Sequence, residues 1–328
     1  MKTTSFMIED LRVPCNSHCR YCLLACENKT NPTDYKETEA FIRNLDEEFR
    51  NTGIHFSYYM GYCMDTSDLH DYIKMSQQLG YPSADFLQLN GLKFRDLGAI
   101  ANFITDLKDW GINLVDLTFY GLREYHDRFA GRKGDFDYLV DTLRACMRLH
   151  MPVRISMPLN KENMDQAGKL YRCLHDLDAR NFFIFLPHSK GRGRYLENLR
   201  LTREDFDRLP KTIKKNFGKS PYKTEREWLE ENDFEEPETR TLVKVLRDDS
   251  PYLHLTGRDM LRELEEKDDA FYRAMPSTKE LAQIYGNREN DQLFRKRDLI
   301  IRYRQAWAKD HPEIEDTIEE YKDFSIRY

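Results

Sequence analysis

The sequence predicts an α/β fold built around a parallel sheet. Short apolar runs alternate with stretches of helical spacing through the first two thirds of the chain, and the connections between runs are long enough for crossover helices. With 328 residues, 40% of them hydrophobic, the chain can bury a sheet on both faces.

The first apolar run, Phe6 to Val13, reads as a strand, and the loop CNSHCRYC follows it directly. A polar stretch then leads to a helix over about Thr38 to Asn51, with Phe41, Ile42, Leu45 and Phe49 at helical spacing and Gly53 just beyond. Strands are predicted at Ile54–Met60, Ala84–Leu89, Ile112–Phe119, Pro152–Met157 and Phe182–Leu186. Between them lie helices at Ser67–Leu79, Asp96–Trp110 and Phe136–His150, and one beginning near Asn160 that contains Met164, Ala167, Leu170 and Leu174. Six strands in this alternation imply a partial or complete β/α barrel, or a doubly wound sheet. In either architecture functional residues belong at the carboxyl ends of strands, where the cysteine loop falls.

From Pro210 the pattern changes. A charged connection containing Pro221 and Pro237 is expected to wrap the core rather than form a compact domain. Thr241–Leu246 reads as a short strand or helix, and helices follow at Met260–Ala274, Ser277–Tyr285 and Asp291–Lys309. Ser277 and Glu280 form a capping-box pattern. The expected division is a core over residues 1–209 and a mainly helical extension over 210–328, acting as a lid or closing an open sheet edge.

No apolar run approaches the length of a membrane span, and the start, MKTTSFMIED, lacks the apolar stretch of a signal peptide, so no membrane association is expected. A net charge of −6 argues against general nucleic-acid binding, although His188 to Arg194 (HSKGRGR) is basic. Seven unevenly spaced cysteines do not read as a disulfide framework, and a reducing cytoplasm is expected.

Cys15, Cys19 and Cys22 bring three thiolates to one centre and supply no fourth. Iron–sulfur cubes are normally held by four cysteines, so three would leave one iron with an open coordination position. Zinc also accepts thiolates, but its sites usually pair two C-x-x-C knuckles or add histidines at set spacing, and no second knuckle is present. Cys146 and Cys173 read as isolated small hydrophobes, and Cys26 as a spectator one helical turn after Cys22.

This spacing, with Tyr21 just before the last cysteine, resembles the hallmark of the radical S-adenosylmethionine (radical SAM) superfamily. The resemblance extends to about Leu209. From Tyr120 to Asn163 it is similar to the molybdopterin-biosynthesis and sulfatase-maturase branch, without that branch's carboxyl-terminal auxiliary clusters. It implies a partial (β/α)6 TIM-like barrel holding a [4Fe–4S] cluster on Cys15, Cys19 and Cys22, with S-adenosyl-L-methionine on the open iron. The cluster would reductively cleave that cofactor to a 5'-deoxyadenosyl radical, which abstracts hydrogen from a peptide or small-molecule substrate. A reductant protein such as flavodoxin or ferredoxin, and sensitivity to oxygen, are implied with it.

The same resemblance places Tyr21 against the adenine, with Leu186 and Pro187 as further adenine neighbours. Asn90, in Leu89-Asn90-Gly91, matches the family's Thr-Asn-Gly. Thr118, in Thr118-Phe119-Tyr120-Gly121, stands where relatives have Ser-x-Asp-Gly, so the hydroxyl is kept and the acid is lost. Arg154 matches a position that can hold the cofactor carboxylate; pairing inside the barrel is its structural alternative. In place of Gly-Gly-Glu on the second strand the chain has Tyr59-Met60-Gly61-Tyr62-Cys63. There Met60 and Gly61 offer backbone to the cofactor amino group, and Cys63 is a candidate radical relay or hydrogen donor. The departures from the family pattern keep a second reading open: a cluster- or zinc-binding interaction module that does not cleave the cofactor.

Overall fold

The computed structural model describes residues 2–12, 15–22, 30–62, 65–81, 85–235, 238–247, 255–314 and 324–327. Cys26 and Cys63 lie outside the described residues.

The strand–helix alternation runs as β1 (Lys2–Leu11), α1 (Tyr35–Phe49), β2 (His55–Tyr62), α2 (Leu69–Leu79), β3 (Phe86–Gln88), α3 (Leu97–Asp109) and β4 (Leu114–Thr118). Two helices, α4 (Arg123–Ala130) and α5 (Asp135–Arg148), then precede β5 (Val153–Pro158), α6 (Met164–His175) and β6 (Asn181–Phe185). β1 pairs with β2, and β3, β4, β5 and β6 pair in that order, all in parallel. Aspartates start two of the helices: Asp34 accepts from the Glu37 amide and Asp96 from the Ala99 amide.

Each strand sends alternate side chains to opposite faces. Phe6, Ile8, Leu87, Val115, Leu117, Ile155 and Ile184 join the main core against the helices. Phe6 packs at 5.4 Å from Phe49 of α1 and 5.8 Å from Phe56 of β2. Removing each such ring from water is worth about 1.5–3 kcal/mol. The other face of β3 to β6 is polar and aromatic: Gln88, Asp116, Thr118, Arg154 and Ser156, flanked by Phe86, Phe183 and Phe185.

β1 and β2 approach closely at their carboxyl ends. A Cβ on Gly61 would stand 2.8 Å from the Asp10 carbonyl oxygen and from Leu11 Cδ2, where the register also shifts. Glycine is needed there for contact between the strands.

After a 3₁₀ segment (Gly191–Leu199) come α7 (Arg203–Arg208), α8 (Lys211–Lys214), β7 (Lys223–Thr224), α9 (Glu225–Glu231), β8 (Thr239–Leu246), α10 (Gly257–Ala274), α11 (Thr278–Tyr285), β9 (Leu293–Phe294), α12 (Lys296–Asp310) and β10 (Phe324–Arg327). The expected capping box of Ser277 and Glu280 is present at α11.

One expectation for this region is corrected. It does not only wrap the core: Trp228, Phe271, Phe294, Leu299, Tyr303 and Trp307 are among a second set of buried residues that pack on one another. Glu225, wholly buried, accepts from Asn290, Arg302 and Tyr303 at 2.6–2.8 Å and ties that core together. The region also adds strands to the first sheet. β8 lies parallel beside β1, and β10 pairs antiparallel with β8, giving the order β10-β8-β1-β2. At the other edge, Ile184 of β6 exchanges backbone hydrogen bonds with Asn216 and Gly218. The outer edges of β1 and β6 are therefore covered by chain that comes after residue 210. No described helix is long and apolar enough to cross a membrane.

Candidate functional site

The cysteine loop leaves β1 at a point fixed by a buried acid. Asp10 is fully buried; its Oδ2 accepts from Tyr58 Oη at 2.9 Å and Arg12 Nε at 2.8 Å, and its Oδ1 from Asn31 Nδ2 at 3.0 Å. The Asn31 amide donates to the Leu11 carbonyl at 2.6 Å, and Arg12 also donates to the Thr33 carbonyl and the Thr38 hydroxyl. The segment that follows the loop is thus tied back to the strand that precedes it.

Farther along, the loop is held by backbone. Asn16 donates to the Gly91 carbonyl at 2.9 Å, His18 to Ala130 at 2.8 Å and Arg20 to Phe129 at 3.0 Å, while the Cys22 carbonyl accepts from the Arg192 amide at 3.0 Å. The loop therefore meets the carboxyl end of β3, the end of α4 and the segment after β6. Gly131, with φ +63°, lets α4 end against His18; a Cβ there would lie 3.0 Å from that residue's Cβ.

Cys19 and Cys22 sit in one small cluster with Tyr21 and Tyr120, and Cys15 borders the main core. Cys19 is buried, and Cys15 and Cys22 are partly exposed. Burial pushes the Cys19 thiol up, the Tyr120 hydroxyl opposes this, and the charges of Cys22 and Cys15 add to the rise, so the three feel one another. Cys15 Sγ accepts from the Ser17 amide at 3.5 Å. Cys146 sits in the main core and Cys173 is exposed on α6; neither joins the loop. Among the described residues no three His, Cys, Asp or Glu side chains group to hold a single metal ion. A donor set of three sulfurs on a loop anchored at every side suits a multi-iron cluster with one open corner.

Tyr21 packs edge-on to Tyr120 at 5.5 Å and lies 5.9 Å from Phe129 and 6.3 Å from Phe185, linking the loop to β4, α4 and β6. Arg154, with its side chain 35% exposed, gives its Nε to Asp116 Oδ2 at 2.5 Å and lies over the rings of Phe86 and Phe183. Asp116, whose side chain is 2% exposed, also accepts from the hydroxyls of Ser156 at 2.7 Å and Thr118 at 3.3 Å. An acid thus stands two residues before Thr118, on the same face of the strand. The sequence carries a signal for this: LVDLT and VRISM both alternate, which puts Asp116 beside Arg154 in a parallel pair.

Asn90 is buried and gives both ends of its amide to the Thr118 backbone, accepting from the amide at 2.7 Å and donating to the carbonyl at 2.9 Å. It fixes the end of β3 to the end of β4. Met60 is buried in the main core and Gly61 lies against β1. The Leu186 amide donates to Tyr222 Oη at 3.2 Å, and the Pro187 carbonyl accepts from Arg200 at 2.6 Å, so later chain orders the end of β6.

Glu9 is a further group that sequence reasoning did not single out. It lies on β1 between Tyr59 and Val245, is buried, and titrates at about 7 because burial raises it while Lys190 pulls the other way. Its place in FMIEDL between apolar residues was the available clue.

The fold and the loop define an α/β protein with a loop of three cysteines at the carboxyl end of its first parallel strand. No family model matches the chain. Fe-coproporphyrin III synthase of Methanosarcina barkeri is 27% identical over 99 residues, 30% of this chain and 25% of that protein. The sporulation killing factor maturation protein SkfB of Bacillus subtilis is 26% identical over 121 residues, 37% of this chain and 28% of its own. AdoMet-dependent heme synthase of Oleidesulfovibrio alaskensis is 21% identical over 197 residues, 60% of this chain and 48% of that one. Among solved structures, Streptococcus suis SuiB bound to precursor peptide SuiA is 14% identical with a TM-score of 0.48, covering 66% of this chain and 48% of SuiB. The curated relatives point to the radical S-adenosylmethionine superfamily, the family that the cysteine spacing resembles. The chain spans a quarter to about half the length of those relatives.

Proposed function

We propose that this chain is a radical SAM enzyme that binds a [4Fe–4S] cluster through Cys15, Cys19 and Cys22 and S-adenosyl-L-methionine beside it, on a partial (β/α)6 barrel. The observation that carries the reading is the anchored loop of three mutually interacting thiols at the end of β1, next to an inner strand face bearing Arg154 and Asp116. When bound, the cluster and cofactor together supply reductive cleavage to a 5'-deoxyadenosyl radical.

The chain's own residues bind and orient. Asp116 holds Arg154 by Nε, which turns the two Nη groups to the inner face, where a guanidinium suits the cofactor carboxylate. Thr118 lies on that face, and the backbone of Met60 and Gly61 is assigned to the amino group. Tyr21, Leu186 and Pro187 form the adenine side, and Asn90 keeps the ends of β3 and β4 in register. Glu9, neutral over part of the physiological range, is a proton donor or acceptor inside the barrel.

A peptide substrate is the preferred reading, supported by similarity to a protein named for maturing a sporulation killing factor. A small molecule is the alternative, in keeping with the relatives named as coproporphyrin and heme synthases. A cytoplasmic location and a flavodoxin- or ferredoxin-like reductant complete the proposal.

Anaerobically reconstituted protein given dithionite and S-adenosylmethionine is expected to release 5'-deoxyadenosine. Colourless, zinc-loaded protein with no release would instead support an interaction module. Cys15→Ala, Cys19→Ala and Cys22→Ala should each lose iron and sulfide, while Cys146→Ala keeps them; equal retention by all four refutes the ligand set.

A further inference from the structure

Tyr120 stands where the family pattern has an acid, and its hydroxyl lies 3.1 Å from Cys19 Sγ in a buried pocket. The surroundings are apolar and aromatic: Tyr125, Phe129, Ala130 and Leu196 pack there with Cys19 and Tyr120. The tyrosine is clamped from several directions. Its amide donates to His126 Nδ1 at 3.1 Å, its carbonyl accepts from Asn163 Nδ2 at 2.6 Å, and its ring stacks on His126 at 5.0 Å. Because His126 Nδ1 accepts, its Nε2 carries the proton and donates to Asp135 at 3.1 Å, and Arg132 in turn braces Asp135 at 3.2 Å. The Tyr21 ring packs edge-on to that of Tyr120 at 5.5 Å.

A thiolate bound to iron has no proton to give, so in the loaded protein the Tyr120–Cys19 hydrogen bond runs one way, from phenol to sulfur. We infer that Tyr120 is a built-in hydrogen-bond donor to the Cys19 ligand and holds the cluster at a higher reduction potential than three unassisted thiolates would. The physical reason is that reduction adds negative charge, and a fixed donor in a water-poor pocket stabilises the reduced state more than the oxidised one. The pair is deliberately stiff: no rotamer search is needed when the charge arrives. This inference rests on the cluster reading above and assigns to one side chain the task of making the cluster easier to reduce.

The test is a potentiometric titration of anaerobically reconstituted protein, with the reduced cluster read by electron paramagnetic resonance. Y120F is expected to hold wild-type iron and sulfide, with its reduced-to-oxidised ratio at the wild-type midpoint falling severalfold. A tenfold fall corresponds to about 59 mV for one electron. Y125F is the control, because the Tyr125 hydroxyl bonds Asn160 and Glu162 and not a ligand, and its midpoint should match wild type. Incorporation of 3-fluorotyrosine at position 120 keeps the ring and makes a stronger donor, so the midpoint should move positive. This second variant decides the matter should Y120F fail to load. A midpoint unmoved by either change at position 120, or moved equally by Y125F, overturns the inference while leaving the cluster reading intact. Wild-type protein that binds no iron and sulfide overturns both.

Discussion

Glu9 has little room to carry its charge. In the unfolded chain its carboxyl titrates near 4.5, and in the folded protein near 7. A raised carboxyl pKa means that the native state binds the extra proton between those values, so its contribution to stability is best below about 4.5 and declines as pH rises toward about 7. Glu9→Gln removes the ionisation. It should leave thermal stability unchanged near pH 4.5 and raise it at pH 8 by up to about 3 kcal/mol, measured by calorimetry. Arg154 and Asp116 make the second prediction at this scale. Arg154→Ala should weaken S-adenosylmethionine binding roughly tenfold to a hundredfold, the worth of charged hydrogen bonds, without changing the cluster's absorption spectrum. Asp116→Asn should give part of that loss, and the double variant no more than Arg154→Ala alone. Additive losses would show that Asp116 does not act through the arginine. Arg154 was legible in the sequence because it resembles a family position; Asp116 was not, because the family pattern directs attention to the residue after Thr118. Only the pairing of β4 with β5 reveals that an acid two residues earlier faces the same way.

As far as β6 the elements were legible from periodicity except α4, which the sequence reading did not predict between the strand ending at Phe119 and the helix beginning at Phe136. β3 is shorter than the run Ala84–Leu89, and residue 84 lies outside the described residues. The region after Pro210 was less legible for a physical reason. β8 (TLVKVL within Thr239–Leu246) is stabilised by a partner more than 200 residues away in sequence, and pairing of that kind leaves little local trace. The second core is similarly assembled from short elements whose apolar residues become continuous only when packed together. Gly61 shows how tightly the elements are fitted. Gly61→Ala pushes a methyl into the Asp10 carbonyl and Leu11, and should cost about 1–3 kcal/mol through strand separation. Because those residues lead into the cysteine loop, reconstituted iron content should fall together with the melting temperature. A stable variant with full iron would show that the strands can part without disturbing the loop.

Across the whole molecule, the end of β6 is fastened to α12 by a buried charge cluster. Asp298 meets Arg200 at 3.4 Å, Arg295 at 2.9 Å and His188 Nδ1 at 3.2 Å, and burial lowers the pKa of that ring. Burial opposes the Asp298 charge, but His188 and the two guanidinium groups outweigh it and hold the carboxyl well below the usual carboxylate range. A depressed carboxyl pKa stabilises above the unfolded value, and the benefit is lost as pH falls through and below about 4. Asp298→Asn, which strands the buried Arg200, should cost about 3–5 kcal/mol at pH 7, with the difference from wild type shrinking in acid, as urea unfolding would show. A gap that stays constant down to pH 3 would place the stabilisation elsewhere.

The position of β8 against β1 also sets a timetable. The strand that launches the cysteine loop emerges from the ribosome early, yet its flanking neighbour is translated more than 200 residues later. Until then one side of β1 offers an unsatisfied ladder, the kind of nascent surface that chaperones occupy. Metal delivery to the loop should therefore be a late, post-translational event, and stalled nascent chains ending before residue 239 should take up no iron from a donor that loads the released protein.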